Sequence, residues 1–440
     1  MASGYVRTRI SRLKVSGYRS LYDVELTDLP DVLVLLGRNG AGKSNLMRVP
    51  GLVLQWAAQA EGSTRAKPLR LEYLEANRLL DLRPTDFSNG RPPELRIELD
   101  MQLGTAMGQR VNRSPEPLGE LKLVAHAQDT GRGLSLWFST MTLADFDVLQ
   151  ARAFDDGPQL VVSRLLHELE HDSPLLRCEA YRSLVRETLT QSPTGQLGAS
   201  TFQRRMLAAH VDPDIGRRRQ LKRLGQRLAE VGAFPQSASV ELSPVEDKQF
   251  QEYRLYVSLP EVGDVPLENL GTGQQQLIMM AADALVERRP IVMIEEPEAH
   301  LHSTLMEAFA RFLRLEAEQA GNDSPIDQVW ISTHHHAFAI AREYFEVEHT
   351  AQTGTTVRRR ERAYAAPHFY EPGPLWDALR AVASSTSRET VVMHDSEGQA
   401  VTAGAILDSV EGDRVLANDF AEAATRAVVT RFRKQPVQAS

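Results

Sequence analysis

Residues 37–45 read GRNGAGKSN, and few sequence features limit the folds open to a chain as sharply. The apolar run before it, DVLVLL from Asp31 to Leu36, has the unbroken pattern of a strand buried on both faces. The segment after it, SNLMRV from Ser44, opens a helix of apolar periodicity. A glycine-rich turn between such a strand and such a helix predicts a phosphate-binding P-loop. Gly37, Gly40 and Gly42 allow a tight turn, so that backbone N–H groups from Gly37 through Arg38, Asn39, Ala41 and Asn45 converge on an anion. Lys43 adds charge suited to β- and γ-phosphates, Ser44 offers a hydroxyl for Mg²⁺, and the helix start adds its positive end. A fortuitous glycine-rich turn is the alternative, and both flanking segments oppose it. Pro50 and Gly51 interrupt the helix pattern, so a kink is expected at Pro50.

Two further apolar strands end in polar groups. PIVMIEEPEAHLH, Pro290 to His302, places carboxylates where a parallel sheet presents its ligand edge. There Glu295 is expected to hold Mg²⁺ through water, and Glu296 to act as general base on the attacking water. VWISTHHH, Val329 to His336, ends in His334, a candidate to contact the γ-phosphate or polarise water. Between the P-loop and these strands, ENLGTGQQQLIMMAADAL, Glu268 to Leu285, is a glycine turn running into an apolar helix.

The LGTGQ of that turn, Leu270 to Gln274, resembles the LSGGQ signature of ABC-type ATPases. In order with the P-loop, EEPE and His334 it carries weight that it lacks alone. The resemblance implies that Gly271, Thr272, Gly273 and Gln274 of one subunit cap the nucleotide on the P-loop of another, around ATP and Mg²⁺. Gly271 stands where the signature usually has serine, so that hydroxyl contact is lost or passes to Thr272. RISRLKVSGYRSLYDVEL, Arg9 to Leu26, reads as two strands joined by a polar turn, and with the P-loop it looks like the opening of the RecF, SMC and OLD branch. EEPEAHLH is similar to OLD-family and related prokaryotic ATPases in particular, although Ser303 replaces the usual proline after HLH. Arg19 corresponds to an arginine that often approaches the phosphates in such heads; a surface charge at a turn is the alternative.

The expected fold is therefore α/β: a P-loop NTPase with an ABC-ATPase head, a mixed sheet and a compact helical insertion. Strands are expected in Pro93–Leu103, LKLVAHA and LSLWFST, and short helices across about 140 to 235, too broken for a coiled-coil arm. The expected units are an N-terminal lobe at 1–140, the insertion at 141–235, a C-terminal lobe at 236–365 and an α/β extension at 366–440. Gln150 lies where related heads often place a metal-sensing glutamine. In the extension, VVMHDSEGQ supplies a strand and acids without the full acidic set of a Toprim nuclease, so no nuclease is expected. Gly412 to Lys434 is a candidate amphipathic helix.

HELEH, His167 to His171, fits a zinc-helix pattern with Glu168 as base. Glu170 sits where such helices are normally apolar, and no third ligand is identifiable, so the charged face of a surface helix is the favoured reading. The single cysteine, Cys178, allows no internal disulfide, and no apolar stretch is long enough to span a bilayer. With no signal peptide, a cytoplasmic protein without a membrane association is expected. A net charge of −8 gives no general attraction for nucleic acid, so any contact must be local. The best patch is the predicted helix Gly216–Glu230, with Arg217, Arg218, Arg219, Lys222 and Arg223 beside a stripe of Leu221, Leu224 and Leu228. Arg204, Arg205 and Arg358–Arg360 add to it; solvated surface is an equal alternative.

These features lead to an expectation of an ATPase that dimerises around ATP, open to higher oligomers, and gates a DNA-directed or effector-directed activity. Resemblance to stand-alone prokaryotic ATPases implies a sensor in anti-phage defence with a separate nuclease or toxin. A RecF-like repair ATPase and a nucleotide-switched scaffold with little turnover are the alternatives.

Overall fold

Strict alternation along residues 94–103 sets the first layer: Leu95, Ile97, Leu99, Met101 and Leu103 are fully buried, while Glu94 and Arg96 on the opposite face are exposed. The structure, a computed structural model, describes residues 4–60, 62–87, 94–149, 158–171, 173–178, 202–212, 215–235, 238–244, 253–260, 262–299, 301, 303–322, 324–335, 338, 343–361, 387–394 and 400–404. The first sheet is antiparallel. It is built from β1 (Arg9–Tyr18), β2 (Leu21–Leu26), β4 (Leu69–Leu71), β5 (Glu94–Leu103), β6 (Gly119–Asp129), β7 (Leu134–Leu143) and β8 (Phe146–Asp147). Its order is β2-β1-β5-β6-β7-β4, with β8 against β7. The outward face carries charge pairs such as Arg12 with Glu98, 2.8 Å apart, as a one-sided sheet requires.

The second sheet lacks that alternation. Every residue of β13 (Ile291–Glu295) and β14 (Gln328–Thr333) is buried, the pattern of strands covered on both faces. With β3 (Val32–Gly37), β9 (Leu175–Cys178), β15 (Glu343–Thr350) and β16 (Gly354–Glu361) they run in the order β16-β15-β3-β14-β13-β9. The β15/β3, β3/β14, β14/β13 and β13/β9 pairs are parallel. β9 comes from the stretch expected to be a helical insertion, which therefore also completes the sheet beside β13.

Helix α1 (Lys43–Gln59) packs against strands of both sheets and runs through Pro50 without interruption. α2 (Tyr73–Leu80), α3 (Thr105–Asn112) and α4 (Pro158–His171) belong to this layer, α2 and α4 packing on α1 and α3 on α4. Leu33, Leu35, Ile291, Met293 and Trp330 join that core, whereas the residues between them point the other way. α8 (Ser303–Glu318) packs on β14 and on α7 (Thr272–Val286); α7 also meets β9, α5 (Phe202–Val211) and α6 (Ile215–Glu230). As the sequence predicts, Leu221, Leu224 and Leu228 form the buried stripe of α6. A small antiparallel sheet, β10 (Ser239–Pro244), β11 (Tyr253–Leu259) and β12 (Gly263–Pro266), packs beside α6.

Two side chains at the start of β14 tie the sheets together far from its C-terminal end. Asp327 accepts from the Thr8 backbone N–H at 2.7 Å and from the Tyr5 hydroxyl at 2.6 Å. Gln328 accepts from Ile10 N–H and donates to the carbonyls of Ile10 and Pro30, at 2.9 to 3.0 Å. Both are fully buried, and burial pushes the Asp327 carboxyl up to about 6.

Residues 1–359 form one unit and 360–440 a second. Among the described residues the second contains the antiparallel pair β17 (Val391–His394) and β18 (Ala400–Thr402). Gln150 and the candidate helix at 412–434 lie outside the described residues.

Candidate functional site

The C-terminal ends of the parallel strands gather the charged groups that the sequence singles out, as an open α/β sheet does for its ligands. β3 ends in Gly37 and gives way to an exposed turn of Arg38, Asn39 and Gly40. Gly37 is required by packing rather than by its backbone angle, because a Cβ there would overlap the Val347 carbonyl of β15. Gly42 is required by both: its φ is +102°, and a Cβ would overlap Thr355 Oγ1. Lys43 is buried and donates from Nζ to the carbonyls of Gly37 at 2.6 Å and Arg38 at 3.0 Å. Burial pushes its ammonium down, opposed by Glu296, Glu298 and Glu295. The Ser44 side chain stands exposed one residue on.

A network behind the P-loop joins three distant segments. Arg19, at the β1–β2 turn with φ +47°, donates from Nε to the buried Asp86 at 2.8 Å and from Nη1 to Asn45 Oδ1 at 3.2 Å. Asn45 donates to Ser20 Oγ at 3.0 Å. Thr355 of β16 lies 2.9 Å from both Ser20 Oγ and the Ala41 carbonyl, which brackets the loop between β16 and the β1–β2 turn. Arg19 is thus brought to Asn45, in the first helical turn after the P-loop. Asp86, Ser20 and Thr355 were not singled out in the sequence, and only their separation in the chain conceals them.

The three glutamates at the end of β13 have different partners. Glu295 is 9% exposed and is held by Arg177 of β9, whose Nε donates to Oε1 at 2.6 Å. Glu296 takes φ +46°, a strained angle for a residue with a Cβ, while its N–H donates to the Ser332 carbonyl at 2.8 Å. Glu298 uses one oxygen, Oε1, to accept from the His334 N–H and to pair with His334 Nδ1, both at 2.8 Å. Its other oxygen is buried and has no hydrogen-bond partner among the described residues. Holding Nδ1–H on Glu298 directs Nε2 outward, as an acceptor in neutral imidazole or as a donor in imidazolium. Burial pushes the neighbouring His335 down. Glu298 sits inside the EEPE string, so its spacing was visible even though its role was not.

The residues fit a hard cation. Ser44, in the first turn of α1, and Glu295, at the end of β13 two strands from β3, offer a hydroxyl and a carboxylate, the oxygen donors that Mg²⁺ takes.

The signature-like turn lies at the start of α7, where Gly271 is the N-cap and Gln275 N–H donates to its carbonyl at 3.0 Å. Gly271 and Thr272 are exposed, and Gly273 and Gln274 half-buried. Gln275 closes the turn by donating from its amide to the carbonyls of Glu268 and Leu270. A Cβ on Gly271 would meet only Gln274 Oε1 at 3.7 Å, so packing within the chain does not demand glycine there.

The basic helix is divided. Arg217 pairs with Asp212 at 3.1 Å and Arg223 donates to Gln220 at 3.2 Å, whereas Arg218, Arg219 and Lys222 are exposed. Arg205 pairs with buried Asp283, and Arg359 with Glu343. In HELEH, Glu168 accepts from Arg110 at 2.8 Å and Glu170 from Gln59 at 3.1 Å, with His167 exposed. Among the described residues no group of three or more His, Cys, Asp or Glu side chains is arranged to hold a metal ion. No described helix is long and apolar enough to cross a membrane.

Comparison with known proteins bears on this site directly. Residues 217–339 match the family model AAA_15, described as an AAA ATPase domain. That span includes the signature-like turn, the β13 carboxylates and His334, but not the P-loop. No curated protein matches. Among solved structures, the SMC head bound to the C-winged helix domain of ScpA is 14% identical, with a TM-score of 0.48 over 81% of this chain and 99% of that one. An SMC head domain from Thermotoga maritima is 14% identical, with a TM-score of 0.44 over 80% and 99%. An SMC head with an extended coiled coil, bound to the C-terminal domain of ScpA derived from Pyrococcus furiosus, is 13% identical, with a TM-score of 0.45 over 80% and 96%. By its fold the chain is a mixed α/β P-loop NTPase, and its residues 217–339 carry the likeness to an AAA ATPase domain.

Proposed function

We propose that the chain binds and hydrolyses ATP with Mg²⁺ in a site completed by a second copy of itself, and that the resulting dimerisation gates another activity. The observation that carries the reading is the pairing of a P-loop and three glutamates at one sheet edge with an exposed glycine turn at the start of α7. Gly271 leaves open surface at a helix N-terminus, which suits close approach by a phosphate bound to another molecule. In this reading Gly37–Asn45 cradle the phosphates, Lys43 turns from the loop carbonyls to the anion, and Arg19 adds a planar donor. Ser44 and Glu295 hold Mg²⁺, which neutralises developing charge on the phosphates. Glu296 takes the proton of the attacking water, and Glu298 orients His334 beside it. Gln150 as a further metal contact stays a proposal drawn from resemblance.

What the dimer gates is a finer proposal. The resemblance of EEPEAHLH to OLD-family and related prokaryotic ATPases, whose stand-alone members resemble defence sensors, supports a sensor acting with a separate nuclease or toxin. DNA contact would fall to Arg218, Arg219 and Lys222, the exposed members of the patch. A second reading, a nucleotide-switched scaffold with little turnover, is favoured by one observation: the metal-binding candidate Glu295 is already gripped by Arg177.

Steady-state ATP hydrolysis with and without linear duplex DNA, at low and moderate salt, tests these readings, with Lys43→Ala as the blank. Turnover above the blank supports the enzyme, and stimulation that fades with salt supports DNA sensing through the α6 patch. Tight ATP binding with turnover no higher than the blank would favour the scaffold.

A further inference from the structure

Arg177 is the one cation that the fold delivers to Glu295 from a neighbouring strand among the described residues. β9 and β13 pair in parallel with Arg177 opposite Met293, so Arg177, Met293 and Glu295 share the face that α1 covers. The side chain runs along this face until Nε and Nη2 both lie 2.6 Å from Glu295 Oε1. Arg177 and Met293 also line a hollow of 340 Å³ with Met47, Arg48 and Gly51 of α1, the helix that carries Ser44 in its first turn. A glutamate here is one methylene longer than the aspartate that usually ends such a strand, which lets it reach across to β9.

We infer that Arg177 sets the divalent-cation requirement of the nucleotide site by holding Glu295 in competition with Mg²⁺; this rests on the ATP-site reading above. Two effects of the guanidinium oppose each other. Fixing the Glu295 side chain removes a torsion or two that metal binding would otherwise have to restrain, a modest help. A positive charge in contact with the carboxylate repels a dication bound to the same group, and burial weakens the screening that would blunt this repulsion. The repulsion is the larger effect, so Arg177 weakens Mg²⁺ at Glu295. The same charge attracts the polyphosphate of metal-free nucleotide. Both consequences lower the factor by which Mg²⁺ tightens nucleotide binding.

The experiment is equilibrium binding of a fluorescent, non-hydrolysable ATP analogue to the full chain, in EDTA and in saturating Mg²⁺, for wild type, Arg177→Met and Arg177→Lys, with Lys43→Ala as the control. Its readout is the ratio of the Kd in EDTA to the Kd in Mg²⁺, which is independent of hydrolysis. Arg177→Met is expected to raise that ratio about tenfold, and Arg177→Lys, which keeps the charge, to stay within about threefold of wild type. Arg177→Gln serves the same purpose if the methionine variant does not fold. A ratio in the neutral variants equal to or below wild type overturns the inference, while loss of binding in Lys43→Ala leaves the ATP site standing. A wild-type chain that binds no analogue in either condition overturns both.

Discussion

The two halves of the candidate site, the P-loop and the β13 carboxylate edge, are held in place by different physics. Around the P-loop, the backbone is bracketed by glycine contacts and uncharged hydrogen bonds, Thr355 to the Ala41 carbonyl, Asn45 to Ser20 and a close approach of Gly37 to β15, with Lys43 and the Arg19–Asp86 pair as the charged members. At the carboxylate edge, positioning is done by charge: Arg177 on Glu295, and Glu298 on His334. The glycine contacts and uncharged bonds of the first arrangement fix a backbone shape. The second is built from charged groups, and each of its contacts has a charged competitor in the proposed reaction. A site built this way has one rigid wall and one responsive wall.

That contrast can be broken from either side. The largest effect is expected at the rigid wall: Gly42→Ala must place a Cβ at φ +102° against Thr355, and should cost about 1–3 kcal/mol of stability together with most nucleotide binding. Chemical denaturation and analogue binding on the same sample would show both losses; normal binding with normal stability would mean that the loop is not as rigid as described. Next, Glu298→Ala frees His334 from its carboxylate and should lower kcat about 10- to 100-fold with nucleotide affinity nearly unchanged, and Glu298→Gln less so. A matching loss of affinity would instead give Glu298 a binding role.

A smaller effect is expected from Thr355→Val. It removes the hydroxyl between Ser20 and Ala41, about 1 kcal/mol, and should raise KM for ATP without changing its salt dependence. An altered salt dependence would contradict the uncharged character of that wall.

The effect that bears least on nucleotide chemistry lies outside the site, at the sheet-to-sheet tie, and is one of stability alone. The Asp327 carboxyl is raised to about 6 by burial, so its contribution to stability is full below its unfolded value near 3.8 and is lost as pH rises through about 6, by up to about 3 kcal/mol. Asp327→Asn should flatten that part of the profile between pH 4 and 7, checked by urea melts at several pH values. An unchanged slope would assign it to other groups.

The legible parts of this molecule are those whose chemistry is contiguous. The β1–β2 hairpin, β3 with the P-loop, β5 to β7 and α6 follow from alternation or helical period within one stretch. Gly37 was visible as a P-loop glycine, yet its need arises from Val347, far along the chain. β9 is four residues, LLRC, with no period to distinguish strand from helix, and its place beside β13 depends on tertiary pairing alone. Arg177, Thr355 and Asp86 were unreadable for the same reason, since each acts on a residue more than a hundred, three hundred or sixty positions away. The Glu296 N–H likewise finds its partner on another strand, at the Ser332 carbonyl.

The central claim is that two copies complete each other's nucleotide site, and its most direct test is the mass of the Glu296→Gln variant by light scattering with Mg²⁺ and ATP. A doubled mass is predicted, reverting to monomer without nucleotide and in Glu296→Gln variants that also carry Lys43→Ala or Gly271→Arg. A mass that stays the same with and without ATP, or a nucleotide-dependent dimer indifferent to Gly271→Arg, would contradict it.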